Sequence, residues 1–265
     1  MMAQEKLFFR EELLKYDRLF GLIGYPLSHS FSKRYFQEKF AKKGTTDRQY
    51  YELFPLEHIE ELPQLQEWYP QLCGLNVTIP YKQDVLSFLT RLDPEAEAVG
   101  AVNTIRISGQ SWEGFNTDIY GFEQSLRQLL AGRERFPHRA LVLGTGGAAK
   151  AVIYVLRKLN IKVQLVSRQP GTETLTYAEL AQKTLRDYPL IVNTTPLGMS
   201  PRIDTCPDLN YRQLTHDHLL YDLVYNPEKT LFLQKGEAAG AAIMNGLPML
   251  IEQAEQAWAI WNTGQ

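Results

Sequence analysis

Leu141-Val142-Leu143-Gly144-Thr145-Gly146-Gly147-Ala148-Ala149 is an apolar run that passes through a glycine turn into a helix-forming segment. A run of Leu and Val without polar alternation suits a strand covered on both faces, as in a parallel sheet. Gly144 permits the tight turn and Gly146 lets backbone amides approach a pyrophosphate. The helix that follows offers first N–H groups and a dipole that favour an anion. Ala148 and Ala149 keep helix and strand close. A bare Gly-x-Gly-Gly can also be a plain strand-to-helix connection, but the strand before it and the helix after it favour nucleotide binding.

Outward from this turn, an apolar helix over Ala148–Leu159 and a strand over Lys162–Val166 complete a βαβ unit. That strand ends in Val166-Ser167-Arg168. Arg168 lies 24 residues after Gly144, near the offset where an NAD-binding chain places an acidic residue on the ribose. An acid there repels a 2′-phosphate, whereas an arginine pairs with one, so the pattern predicts NADP (NADPH). The alternative is a solvated arginine after a strand. Further strands over Leu190–Asn193 and Leu219–Leu223 extend a Rossmann-like sheet.

Upstream, apolar runs at Leu19–Ile23, Tyr50–Phe54, Leu75–Ile79 and Ala101–Ser108, with a helix over Phe31–Lys42, predict a second α/β unit. The turn Ser108-Gly109-Gln110, the polar string Asn116-Thr117-Asp118 and a helix over Ile119–Ala131 mark the junction. Leu250, Ile251, Ala254, Ala257, Trp258 and Trp261 recur at helical spacing over Leu247–Trp261, which predicts a helix with one buried face packing back on the first domain. The expectation is α/β with two domains: residues 1–117 with 247–265 as a substrate domain, and 118–246 as a Rossmann-like cofactor domain.

The chain has 265 residues, 44% hydrophobic and 22% charged, with net charge −2 and pI near 6.2. Nothing in that balance draws it to nucleic acid or an anionic membrane, and a small-molecule substrate is the expected partner. No run reaches membrane-spanning length, and Met1–Asp17 lacks the apolar stretch of a signal peptide, so a cytoplasmic location is expected. Cys73 and Cys206 show no metal or disulfide spacing, and His216-Asp217-His218 reads as a solvated loop pair, so no metal is expected. Monomer and homodimer both remain open.

Three strings suggest polar chemistry after strands of the first domain: Gly24 to Ser32, Asn76 to Lys82, and Ala101 to Thr104. Strand ends in an open α/β sheet line the ligand crevice. Ketone reduction builds negative charge on oxygen and consumes a proton, and Lys82 has the chemistry to meet both needs, held by an acid such as Asp118. Taken singly, a lysine here reads as a surface residue. Ser30 and Ser32 share a face if extended and suit a carboxylate, but Ser28, Ser30 or Ser32 serves equally well as a helix cap near Phe31. His29 reads as a structural hydrogen-bonding residue.

Together and in this order, the strings resemble the shikimate dehydrogenase family from about Leu19 to Trp261. The resemblance rests on His29-Ser30-Phe31-Ser32, Asn76-Val77-Thr78-Ile79-Pro80-Tyr81-Lys82, Gly100-Ala101-Val102-Asn103-Thr104, Asn116-Thr117-Asp118 and the glycine turn. It implies reversible reduction of 3-dehydroshikimate to shikimate, with Lys82 and Asp118 as the catalytic pair. Ser30, Ser32, Thr78, Asn103, Tyr225 and Gln253 would bind the substrate. Gly144, Gly146, Gly147, Ala148, Ser167, Arg168, Thr194, Thr195, Pro196, Met199 and Gly246 would bind NADP. The resemblance also implies a substrate domain closing over a central NADP domain. Lys33, Ser167 and Thr172 depart from the family pattern, Thr172 standing where a second basic residue is usual. Met1–Asp17 extends beyond the usual start, as an added helix, a disordered arm or an over-long start. A quinate-accepting dehydrogenase, a non-catalytic sensor of such ligands and a folate-linked dehydrogenase are the competing readings.

Overall fold

The structure is a computed structural model that describes residues 11–27, 30–133 and 136–263. Ser28, His29 and the first part of Met1–Asp17 lie outside the described residues, and so do the readings placed on them. The chain divides into two compact units, Met1–Thr117 with Gln256–Gln265, and Asp118–Glu255.

The first unit is built from β1 (Arg18–Gly24), α1 (Phe31–Lys43), β2 (Gln49–Pro55), α2 (Leu62–Trp68), β3 (Leu72–Val77), β4 (Arg91–Leu92), α3 (Pro94–Val99), β5 (Thr104–Ser108) and β6 (Ser111–Phe115). Its sheet has the order β2-β1-β3-β5-β6-β4. β1 pairs in parallel with β2 and β3, whereas β5 runs antiparallel to both β3 and β6. The turn expected at Ser108-Gly109-Gln110 is the tip of that β5–β6 hairpin. Leu19, Ile23, Leu75 and Ile105, all fully buried, belong to the core.

The described part of Met1–Asp17 packs on this unit: Leu13 joins the core and Tyr16 stacks on Tyr50 at 4.8 Å between ring centres. The end of the C-terminal helix does so too. Trp261 stacks on Phe20 at 5.0 Å and donates its indole N–H to Ile105 O at 2.9 Å. Arg18 donates to Asn262 Oδ1 and Trp261 O, anchoring that end. Of the predicted face, Ala254, Ala257 and Trp261 are buried, whereas Ile251 is exposed.

The second unit contains α4 (Thr117–Leu130), β7 (Arg139–Leu143), α5 (Gly147–Lys158), β8 (Lys162–Ser167), β9 (Thr174–Thr176), α6 (Tyr177–Leu180), β10 (Leu190–Asn193), β11 (Leu219–Asp222), α7 (Leu231–Ala238), β12 (Ala242–Met244) and α8 (Leu247–Trp261), with α4 and α8 running across the division. The sheet order is β12-β11-β10-β7-β8-β9, and every pair is parallel. Counted within the unit, this is the doubly wound order 3-2-1-4-5-6, whose connections reverse direction between β7 and β10. Leu141, Leu143, Val166 and Ile191 are fully buried in its core, as expected for strands covered on both faces.

His218, expected in a solvated pair with His216, is 2% exposed. Its Nδ1 accepts from Thr215 N at 3.0 Å and its Nε2 lies 3.1 Å from Leu185 O, so it is a core histidine with both nitrogens used. Its neighbour in strand β11 explains the burial: the apolar run begins one residue later. Among the described residues no group of three His, Cys, Asp or Glu could hold a metal, and no helix is long and apolar enough to cross a membrane.

Candidate functional site

In the first unit, β1, β3 and β6 end, and β5 begins, at one edge of the sheet. Thr78 and Lys82 follow β3, and Ser30 and Ser32 follow β1. Asn103 lies before β5, not after a strand as the apolar run suggested. It reaches the same edge because β5 runs antiparallel to β3, with Asn76 opposite Thr104. Backbone bonds fasten these loops together: Val77 N to Asn103 O and Val102 N to Lys82 O, both 2.8 Å, and Thr78 N to Ile23 O at 2.9 Å. The Tyr81 hydroxyl lies 2.8 Å from both Leu56 O and Glu57 O, which anchors the turn carrying Lys82.

Ser30 is the N-cap of α1, its Oγ accepting from Lys33 N at 3.4 Å. A capping serine accepts through a lone pair and keeps its own O–H as a donor. Ser32 lies inside the helix, so the extended arrangement with Ser30 does not occur; the cap wins because the helix begins at Phe31. Lys33 forms a 2.5 Å ion pair with Glu52.

Beneath this edge lies a buried polar network that the sequence did not reveal. The fully buried Tyr51 hydroxyl donates to Asn76 Oδ1 at 2.8 Å and is hydrogen-bonded to Ser32, and burial drives its ionisation well above the ordinary tyrosine range. Asn76 Nδ2 donates to Thr104 Oγ1 at 3.1 Å. Asn103 Oδ1 accepts from Thr117 N at 2.7 Å and Thr117 Oγ1 at 3.1 Å. With that oxygen committed as an acceptor, the donor end of Asn103 is its amide NH2. Tyr51 lies in the apolar run of β2, but nothing local marks its hydroxyl as a partner of Ser32.

In the second unit, Asp118 lies in the first turn of α4, Tyr225 is 41% exposed after β11, and Gln253 is buried on α8, donating to Leu250 O at 2.9 Å. Around the strand-order reversal, a cavity of about 510 Å³ is lined by Gly144, Thr145, Gly146, Val166, Ser167, Arg168, Tyr177, Thr194, Thr195, Pro196, Leu197, Arg202 and Thr205. Gly144 has φ +106°, and a Cβ there would stand 2.7 Å from Thr194 Oγ1. Only glycine therefore suits this turn. Thr194 N and Oγ1 both donate to Leu143 O, at 2.9 and 2.7 Å, which holds the β7 and β10 loops together.

A buried chain of bonds braces that floor. Thr195 N and Oγ1 donate to Asn193 Oδ1, Asn193 Nδ2 donates to Asp222 Oδ1 at 2.9 Å, and Thr230 Oγ1 donates to Asp222 Oδ2 at 2.5 Å. Burial pushes the Asp222 carboxyl up to about 6, against the hydrogen bonds from Thr230, Val224 and Asn193. Burial likewise raises Tyr177, with Asp208 adding to the rise and Arg168 opposing it.

The expected cofactor residues Gly144, Gly146, Ser167, Arg168, Thr194, Thr195 and Pro196 all line this cavity, whereas Gly147, Ala148, Met199 and Gly246 lie outside its lining. Gly147 and Ala148 form the first turn of α5, and Met199 is exposed. Gly246 has a packing reason of its own: a Cβ there would stand 2.0 Å from Leu223 O. Tyr177, Arg202 and Thr205 were not anticipated. They arrive from separate loops, and only the composition of the string after Met199 hints at a cation.

The sequence profile of the shikimate dehydrogenase substrate binding domain matches residues 22–105. A shikimate dehydrogenase (NADP(+)) from Clostridium beijerinckii is 39% identical over 259 residues, covering 93% of this chain and 92% of its own. Shikimate 5-dehydrogenase from Thermus thermophilus, solved with NADP(H) and shikimate, superposes with a TM-score of 0.77 at 31% identity, covering 92% of this chain and 93% of that one. Quinate dehydrogenase from Corynebacterium glutamicum, solved with NAD, superposes with a TM-score of 0.82 at 26% identity, with coverage of 92% and 93%.

Proposed function

The chain belongs to the shikimate dehydrogenase family, and on that premise we propose that it catalyses the reversible NADPH-dependent reduction of 3-dehydroshikimate to shikimate in chorismate and aromatic amino-acid biosynthesis, with Lys82 and Asp118 as the catalytic pair. Residues 1–117 with 247–265 are assigned to the substrate and 118–246 to the cofactor. What supports the reading is that the segments carrying Thr78, Lys82 and Asn103 share backbone bonds at the end of the sheet from which β1 leads to Ser30 and Ser32.

The ketone needs a hydride at carbon and a proton at oxygen, and NADPH supplies the hydride when bound. The Lys82 ammonium delivers the proton and offsets the negative charge that builds on oxygen. Asp118 orients the ammonium and accepts from a ring hydroxyl, fixing the direction of attack. Ser30 and Ser32 donate to the substrate carboxylate, and Thr78, Asn103, Tyr225 and Gln253 complete the polar lining. Neutral donors suit a carboxylate here because they leave Lys82 the cation committed to the reacting oxygen.

The second unit fits the cofactor. The Gly144 turn and the start of α5 present backbone N–H groups to a pyrophosphate, and Arg168 lies in the same cavity, where a 2′-phosphate pairs with it. Gly147, Ala148, Ser167, Thr194, Thr195, Pro196, Met199 and Gly246 remain assigned around the nucleotide.

The test is cofactor oxidation with 3-dehydroshikimate, run beside NADH and 3-dehydroquinate. Turnover confined to NADPH and 3-dehydroshikimate is expected. Equal turnover with NADH or 3-dehydroquinate moves the protein to the quinate-tolerant branch, and no turnover with any pair leaves a ligand sensor.

A further inference from the structure

Two arginines line the cavity beside the Gly144 turn, Arg168 and Arg202, and the reaction described above uses only the first. They come from opposite sides: Arg168 follows β8 and Arg202 lies in the loop after β10, the two strands that flank β7. Both are exposed, and among the described residues neither is ion-paired with a carboxylate. Gln169, Pro170, Gly171 and Thr172 bring no second cation to the β8 side.

The loop that carries Arg202 is built rather than loose. Gly198 N donates to Thr205 Oγ1 at 2.8 Å, Thr205 Oγ1 donates to Arg202 O at 2.9 Å, and Ser200 N donates to Asn226 O at 3.0 Å. Thr205 is itself on the cavity wall. One threonine hydroxyl therefore fixes both ends of the segment and sets the Arg202 backbone against the cavity.

Two guanidinium groups facing one cavity repel each other until an anion stands between them. A phosphate monoester carries close to two negative charges near neutral pH and has three acceptor oxygens, enough for two forked donors. The cofactor holds one monoester, at the ribose 2′ position, while its diphosphate is met by the backbone of the glycine turn. We propose that Arg202 closes on the 2′-phosphate from the side opposite Arg168 and, with it, sets the preference for a 2′-phosphorylated cofactor. This rests on the assignment of the cavity to the adenosine end of NADP.

The test needs no turnover. Equilibrium titration of the whole protein with 2′-phospho-ADP-ribose and with ADP-ribose, which differ only in that phosphate, gives a dissociation constant for each. For Arg202→Ala, the phosphorylated ligand weakens about tenfold, the scale of one charge-assisted contact, and the unphosphorylated one changes by less than about twofold. Arg202→Lys falls between, since it keeps the charge and loses the fork. Equal weakening of both ligands places Arg202 on the diphosphate or the adenine and overturns the proposal, as does no weakening of either. A wild type that binds both ligands equally overturns the NADP assignment itself. A wild type that discriminates, beside an Arg168→Ala variant that does not and an Arg202→Ala variant that still does, removes Arg202 alone.

Discussion

The two sheet edges that carry the candidate sites both stand on buried polar side chains but present different groups at the surface. At the edge of the first sheet, polar side chains bond one another below the surface: Tyr51, Asn76, Asn103, Thr104 and Thr117 are all at most 5% exposed. At the second, Asn193, Asp222 and Thr230 bond one another below the surface too, but above them backbone does the shaping, with a positive-φ glycine and a helix start, and the charged groups are exposed arginines. A substrate read by directed hydroxyls requires side chains that cannot swivel, and burial in a satisfied network provides this. A nucleotide read by its phosphates requires N–H groups and charge, which tolerate motion. Substitutions of the exposed groups at the second edge should therefore alter affinity alone, while those in either buried network should alter folding as well.

The sharpest break in that contrast comes from Lys82→Ala. Loss of a positioned acid lowers kcat by about a hundredfold or more, with the dissociation constant of NADPH unchanged because Lys82 belongs to the substrate edge. Single-turnover kinetics beside a cofactor titration separates the two. Near-normal kcat removes Lys82 from proton transfer.

Next in size is the one buried carboxylate below the cofactor edge. Asp222 rises from its ordinary 3.8 to about 6 on folding because burial disfavours its charged form. The folded protein thus holds this proton more tightly than the unfolded chain. Stability from this group is full below the unfolded value and is lost as pH rises through about 6. The rise is worth about 3 kcal/mol at about 1.4 kcal/mol per pH unit of displacement. Urea unfolding of wild type and Asp222→Asn between about pH 4 and 7 should show a falling difference that the variant lacks, and parallel curves would mean Asp222 is not so displaced.

Arg168→Ala is expected to weaken NADPH roughly tenfold or more while NADH changes little, since only the former carries the phosphate an arginine can pair with. Parallel titrations with the two cofactors decide it. Equal loss would put Arg168 on a part that both share.

Legibility followed the same division. The glycine turn could be read because each of its roles is local: Gly144, Gly146 and the first turn of α5 are adjacent in the chain. The Rossmann-like parallel sheet was read from the apolar runs at β7, β8, β10 and β11, but its short outer strands β9 and β12, and with them the full strand order, were not. Nor was the antiparallel β5, because an apolar run does not state its direction, and with it the position of Asn103 ahead of its strand was missed. Ser32 was legible as a site residue and illegible in its conformation, since a helix cap and an extended pair use the same serines. The roles of Arg202 and Tyr51 were not legible, because pairing between distant strands sets what surrounds them.

Tyr51→Phe tests the buried network with the smallest change, a single oxygen. The ring stays, stacked on Phe36 at 4.8 Å between centres, so packing is nearly preserved and the loss falls on hydrogen bonding. Asn76 Oδ1 loses the donor that now stands 2.8 Å away, and a buried acceptor left without a partner costs on the order of 1–2 kcal/mol. Ser32 loses its bond to the same hydroxyl and gains freedom to turn, while Lys82 is untouched. The expected result is a lower urea midpoint and a KM for 3-dehydroshikimate raised several-fold, about threefold being the scale of a bond worth under 1 kcal/mol, with kcat and NADPH affinity held. A fall in kcat instead would mean that the network positions the proton donor, and an unchanged KM beside lost stability would mean that the network serves folding and leaves Ser32 to orient itself.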